Sequence, residues 1–183
     1  MRHNVAFLRA INVGGHTVKM TDLARLFRKM GFKDVATFIA SGNVLFSPGE
    51  GSARRHEATI AGTLEGKLGY AVATFVRTPG ELQKILDSRP FGAVTLDGKE
   101  HVLYVGFLAT APSAAAVKRV RMLSTPIDQF TVIDHEVYWL RHRAGRERFE
   151  APPLEKKLGQ PTTLRNLNTI TRLVALLTAD ERR

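Results

Sequence analysis

Val35-Ala36-Thr37-Phe38-Ile39-Ala40-Ser41-Gly42-Asn43-Val44-Leu45-Phe46 holds two short runs rich in apolar, β-branched and aromatic residues around a turn-forming trio. Val35–Ile39 and Val44–Phe46 read as strands. Ser41-Gly42-Asn43 reads as the hairpin joining them, because Gly and Asn both tolerate positive φ. Upstream, Val5–Ile11 is a short apolar run bounded by Asn12-Val13-Gly14-Gly15, a strand ending in a loop. Thr21 is placed to cap a helix through about Met30, with Leu23, Leu26, Phe27 and Met30 at helical spacing and Gly31 as the left-handed stop. Downstream, Ser52 opens a helix to about Leu68, Gly69 closes it, and Ala71–Arg77 is a fourth strand. The order β-α-β-β-α-β is that of a ferredoxin-like split βαβ unit.

The second half repeats most of this order. Thr78-Pro79-Gly80-Glu81 is a capping-box start for a helix to about Asp87, followed by the connector Ser88–Gly92. His101–Leu108 is a strand, and Ser113 caps a helix through about Met122. Gln129–Ile133 and Val137–Leu140 frame a hairpin at Asp134-His135, and a last helix covers Leu164–Leu177. The expected class is α+β, with two ferredoxin-like (alpha-beta plait) units, βαββαβ followed by a βαββα variant. Residues 1–77 form the first unit and 78–100 a helix and connector. Residues 101–183 form the second unit with its C-terminal helix.

Composition narrows the function classes. The chain has 183 residues, 44% of them apolar and 24% charged, a globular profile. It contains no cysteine, which excludes disulfide scaffolds, thiol nucleophiles and Cys-ligated metal sites. No apolar run approaches the roughly 20 residues of a membrane helix, and the N-terminus lacks a signal-peptide pattern. The expected setting is cytoplasmic, with no membrane partner. The net charge of +10 is unevenly distributed. Residues 1–33 carry +6 and residues 118–183 carry +5, whereas 34–117 carry −1. A positive face attracts anions, although high Arg usage also serves solubility.

Catalytic signatures are missing. Gly62-Thr63-Leu64-Glu65-Gly66-Lys67-Leu68 imitates a phosphate-binding loop, but it is one residue short and lies inside an expected helix. The six histidines (His3, His16, His56, His101, His135, His142) never take zinc-protease spacing. No carboxylate pair or nucleophile elbow stands out. These absences lean against an enzyme, and no cofactor or metal is implied.

Four segments remain as ligand candidates, each with a structural alternative. Strand alternation places Arg9 on one face with Phe7 and Ile11, where it needs an anion, a carboxylate or an open face. Asn12, Gly14 and Gly15 offer backbone N–H groups nearby, or merely turn the chain. Ser41 and Asn43 flank a turn that alone accounts for them. In Thr163-Leu164-Arg165-Asn166-Leu167-Asn168-Thr169, Thr162 or Thr163 is the expected cap. Arg165 and Asn166 then fall in the first helical turn, where an anion is favoured. Arg141, Arg143, Arg146 and Arg148 follow Tyr138 and Trp139 and are suited to a phosphate backbone, with the aromatics for stacking, or to a solvated loop. Phe7 is a further stacking candidate on the first strand.

Taken in order, Arg9–Gly15, Ile39–Phe46 and Thr163–Thr169 resemble the three signatures of a bacterial family, the domain of unknown function 1697 family. The resemblance extends from the first strand to the last helix. Ala10 stands where that family usually has Gly, so close backbone approach is not essential there. The resemblance implies two ferredoxin-like halves and no established reaction, cofactor or partner. The leading expectation is a non-catalytic module binding nucleic acid or a phosphate-bearing ligand on a basic face. The alternatives are an enzyme for a small phosphorylated or carboxylated substrate, and a protein-interaction or self-association module. Oligomeric state stays open.

Overall fold

Asn4–Leu8, β1, is buried at all five positions and organises the N-terminal half. A computed structural model of the chain describes residues 3–13, 15–92, 94, 96, 100–142 and 151–181. After β1 come α1 (Met20–Lys29), β2 (Lys33–Phe38), β3 (Asn43–Ser47), α2 (Ala53–Leu68), β4 (Thr74–Arg77) and α3 (Pro79–Asp87). The chain continues through β5 (His101–Phe107), α4 (Ala114–Arg121), β6 (Asp128–Ile133), β7 (Glu136–His142), α5 (Leu154–Leu158), β8 (Thr163–Asn166) and α6 (Leu167–Glu181). Among the described residues the fold is α+β, with two four-stranded antiparallel sheets and six helices. It comprises two compact units, Met1–Lys84 with Arg172–Arg183, and Ile85–Thr171. None of the described helices is long and apolar enough to cross a membrane.

The first sheet has the order β2-β3-β1-β4. One face carries Ala6, Leu8, Val44, Phe46 and Val76, packed with Leu23 and Phe27 of α1 and Ile60 and Leu64 of α2. Phe32 and Phe27 close on Phe46 with ring centres 4.6 and 5.8 Å away. The opposite face, with Val5, Phe7, Leu45 and Phe75, is buried as well. Burial on both faces explains why β1 reads as a continuous apolar run instead of an alternating one.

Local capping chemistry sets most helix starts. Ser52 Oγ accepts from Arg55 N–H, and Ser113 Oγ accepts from Ala116 N–H, both at 3.3 Å. Thr78 and Glu81 form the expected capping box, with Thr78 N–H donating to Glu81 Oε2 at 2.7 Å. Glu81 N–H in turn donates to Thr78 Oγ1 at 3.2 Å. At α1 the structure differs from expectation. The helix begins at Met20, and Lys19 caps it without a side-chain bond, so Thr21 lies inside the first turn.

The second sheet has the order β6-β7-β5-β8. Its helical face packs Phe130, Val137 and Trp139 against Val120 of α4 and Leu154 and Leu158 of α5. The sequence reading left this half one strand short. The missing strand is β8, which pairs antiparallel with β5, and α6 starts only at Leu167. Thr162 and Thr163 are therefore not helix caps. Thr162 Oγ1 donates to Phe107 O at 3.0 Å, and Arg165 Nη1 donates to Thr163 Oγ1 at 2.8 Å.

Candidate functional site

The first two signature segments come together in the first unit. The extended run ends at Leu8, earlier than expected, because Ala10 and Asn12 adopt φ values of 60° and 55° and bend the chain. Arg9 consequently lies beyond β1, half-buried at the start of a loop, and strand alternation does not govern it. Leu8 N–H donates to Gly42 O at 2.8 Å, and Arg9 N–H to Ala73 O at 2.9 Å. Asn12 ties both segments to each other. Its Oδ1 accepts from Val18 N–H at 2.7 Å, and its Nδ2 donates to Ala40 O at 2.9 Å.

On the other side of the junction, Asn43 is fully buried and donates from Nδ2 to Phe38 O at 3.1 Å and to Ser41 Oγ at 2.9 Å. Both asparagine side chains therefore bond the protein's own backbone and turn. Ile39 holds a φ of 51°, a genuine departure for a β-branched residue. Its side chain is 44% exposed and that of Val13 is 57% exposed. Gly15 is exposed with a φ of 88°, and Gly14 lies outside the described residues. Replacing Asn12 by alanine removes two hydrogen bonds and puts a poorer residue at positive φ. The expected loss is about 2 kcal/mol in urea unfolding, whereas Asn12→Asp is expected to lose the Ala40 bond alone.

The third signature belongs to the second unit. Arg165 sits in β8, not in a helical turn, opposite Val105 of β5. Burial pulls its guanidinium down to about 10, while Nη1 also donates to Leu164 O at 2.9 Å. Asn166 ends the strand, and its Oδ1 accepts from Asn168 N–H at 2.9 Å, an Asx turn at the start of α6. It therefore precedes the helix and is not in its first turn. Sequence reasoning missed Arg77, which occupies the matching register in the first sheet, opposite Val5, and donates to Val76 O at 3.0 Å. Its carboxylate neighbour Glu57 stands 3.9 Å away. Burial raises the Glu57 carboxyl above its usual range, even though Val76 N–H and Arg77 act against that shift.

Basic residues crowd α4 and α5 of the second unit. Lys118, Arg119, Arg121 and Lys156 are exposed and Lys157 is half-buried. Arg119 Nε donates to Lys157 O at 2.9 Å, fastening the two helices side by side. Residues 109–127 contain no carboxylate. The acidic residue on α5, Glu155, has Oε1 taken by Thr162 N–H at 3.0 Å. Arg141 is on the same side of the sheet, its guanidinium 5.7 Å from the centre of the Trp139 ring. Arg143, Arg146 and Arg148 lie outside the described residues. The aromatics expected to stack on bases are not available. Phe7, Tyr138 and Trp139 are all buried, so any grip on an anion in this face comes from charge.

Among the described residues, no three His, Cys, Asp or Glu side chains gather as a metal cage. The second unit also holds an apolar cavity of about 400 Å³, with Ile85, Leu86, Phe91, Leu103 and Leu140 in its walls and Arg89 as the charged side chain.

Residues 1–138 match the model of the family described as protein of unknown function (DUF1697). The chain belongs to this family. The match takes in the first two signatures of the DUF1697 protein, and the third lies beyond it. Among solved structures, the conserved bacterial protein SP0830 from Streptococcus pneumoniae is similar, with a TM-score of 0.70 and 16% identity. That likeness covers 96% of this chain and 98% of the other, and it speaks to fold alone. No curated protein matches the chain.

Proposed function

We propose that this protein is a non-catalytic module whose α4–α5 face holds a polyanion, foremost the phosphate backbone of a nucleic acid. One observation supports the reading: five cations on two fastened helices stand against the single carboxylate of Glu155. The burial of Phe7, Tyr138 and Trp139 favours backbone contact over base stacking, hence binding that tolerates sequence. The two units are read as copies of one ferredoxin-like plan. Val5 is flanked by Leu45 and Arg77 in one sheet just as Val105 is flanked by Tyr138 and Arg165 in the other.

Salt dependence provides the test. Five neutralised phosphates predict a log–log slope of about −4.5, and so a loss of about 500-fold in affinity between roughly 50 and 200 mM salt. Fluorescence anisotropy with labelled duplex DNA and single-stranded RNA reads this directly. The triple variant Lys118→Glu, Arg121→Glu, Lys156→Glu should flatten the slope by about 3 while leaving the circular dichroism unchanged. Absence of binding to both probes at low salt, or a triple variant with the wild-type slope, overturns the reading.

A further inference from the structure

Away from the basic face, β5 and β7 pair with His101 opposite His142, and the two imidazoles stand edge to face with centres 4.6 Å apart. The register is what brings them together. His142 N–H donates to Ile127 O at 2.7 Å, on the β6 side. Toward β5 it is therefore a non-hydrogen-bonded position, the kind that brings opposing side chains closest. An imidazole nitrogen lies about 1.1 Å from its ring centre and about 2.1 Å from a bound zinc. Two imidazoles at about 90° around one ion, as in octahedral or square-planar coordination, then have centres about 4.5 Å apart, and at a tetrahedral angle about 5.2 Å. The observed spacing fits the 90° arrangement of nickel or copper and lies about 0.6 Å short of the tetrahedral one of zinc.

The surroundings fit the same use. The Gln129 amide nitrogen lies 3.2 Å from His142 Nε2. Turned about its own axis, which side-chain amides allow, that amide accepts from Nε2–H and leaves Nδ1 as the ligating nitrogen. The adjoining rung on this sheet face is Leu103 opposite Leu140, both buried, an apolar floor on one side of the pair.

We infer that His101 and His142 form an open two-imidazole site for a divalent transition-metal ion of the imidazole-preferring class: nickel, copper or zinc. Gln129 is its positioning residue, and water fills the other coordination positions. The ion bridges the start of β5 to the end of β7. With two protein ligands this is an exchangeable site, unlike a closed structural cage. It is independent of the polyanion reading.

The full chain, stripped with chelator, is titrated with Zn²⁺ and with Ni²⁺ by calorimetry at about pH 7.5, where unprotonated imidazole is available. One equivalent should bind, and the thermal midpoint should climb with metal concentration. His101→Gln and His142→Gln should each weaken binding by about tenfold or more, whereas His16→Gln and His135→Gln should not. Gln129→Ala should weaken it and Gln129→Glu restore it, with the metal-free midpoint unmoved in both. In the unaltered protein, Ni²⁺ should broaden the NMR signals of the His101 and His142 rings ahead of the other histidines. No heat with either ion, affinity that survives the double His101→Gln, His142→Gln change, or broadening centred on other histidines overturns the assignment.

Discussion

Gly42→Ala should destabilise the first unit by about 3 kcal/mol, lowering the urea midpoint with the slope unchanged. Two costs combine. Gly42 has a φ of 74°, where an L-residue loses about 1–2 kcal/mol relative to glycine. An added Cβ would also stand 2.9 Å from Ile11 Cβ and 3.2 Å from Leu8 Cβ. Those atoms sit next to the backbone of the first signature segment and cannot swing aside, so overpacking adds about 1–3 kcal/mol. Gly15 and Gly69 make the control. Both have positive φ, yet a Cβ at either meets nothing within 4 Å. Gly15→Ala and Gly69→Ala should therefore cost only the conformational share, about 1 kcal/mol each. If all three substitutions cost the same, close packing of the two signature segments is not what holds this junction.

The same junction shows what was legible in the sequence. Ser41-Gly42-Asn43 announced a turn, and the strands on either side followed, because turn chemistry is local. The caps Ser52, Ser113 and Thr78 were legible for the same reason. The end of β1 was not. Val5–Ile11 is apolar throughout, and nothing about Ala10 advertises a φ of 60°. That bend is imposed by Asn12, whose bonds to Val18 and Ala40 exist only once the hairpin has docked.

β8 was hidden differently. Thr163-Leu164-Arg165-Asn166 has one apolar side chain, so neither strand nor helix periodicity marks it. The helical stripe that follows invited an early helix start. α5 has five residues, too few for a 3.6-residue pattern to show. For the candidate site the consequence is direct. Lys118, Arg119 and Arg121 are visible as a charge run, but Lys156 and Lys157 join them only through the packing of α5 on α4. Sequence reasoning therefore placed the basic face on Arg9, Arg165 and the arginines after β7. The buried Arg165 looked like an anion ligand because a guanidinium near a helix start is commonly one. In the fold its donors reach Thr163 and Leu164.

Trp139→Ala is expected to have the largest effect in the second unit, about 4 kcal/mol. The side chain is 1% exposed and its ring stacks on Tyr104 and Phe130, with centres 4.8 and 5.9 Å away. Truncating a buried aromatic of this size leaves a cavity that costs about 3–5 kcal/mol. The change also frees Asp128 Oδ1, which now accepts from Trp139 Nε1 at 2.6 Å. Trp139→Phe separates these contributions. It keeps an aromatic ring between Tyr104 and Phe130 but removes the donor together with part of the buried indole, so about 3 kcal/mol should be lost, a hydrogen bond plus a small cavity. Asp128→Ala should cost about 2 kcal/mol, and the double change Trp139→Phe, Asp128→Ala about 2 kcal/mol less than the two losses added, because both remove one hydrogen bond. Trp139 is the sole tryptophan of the chain. Its fluorescence in the native protein therefore follows the second unit alone, and circular dichroism follows both. If Trp139→Ala shifts unfolding by less than about 1 kcal/mol, the ring is not the keystone of the α4–α5 side. The basic face that α4 and α5 carry would then not depend on it for support.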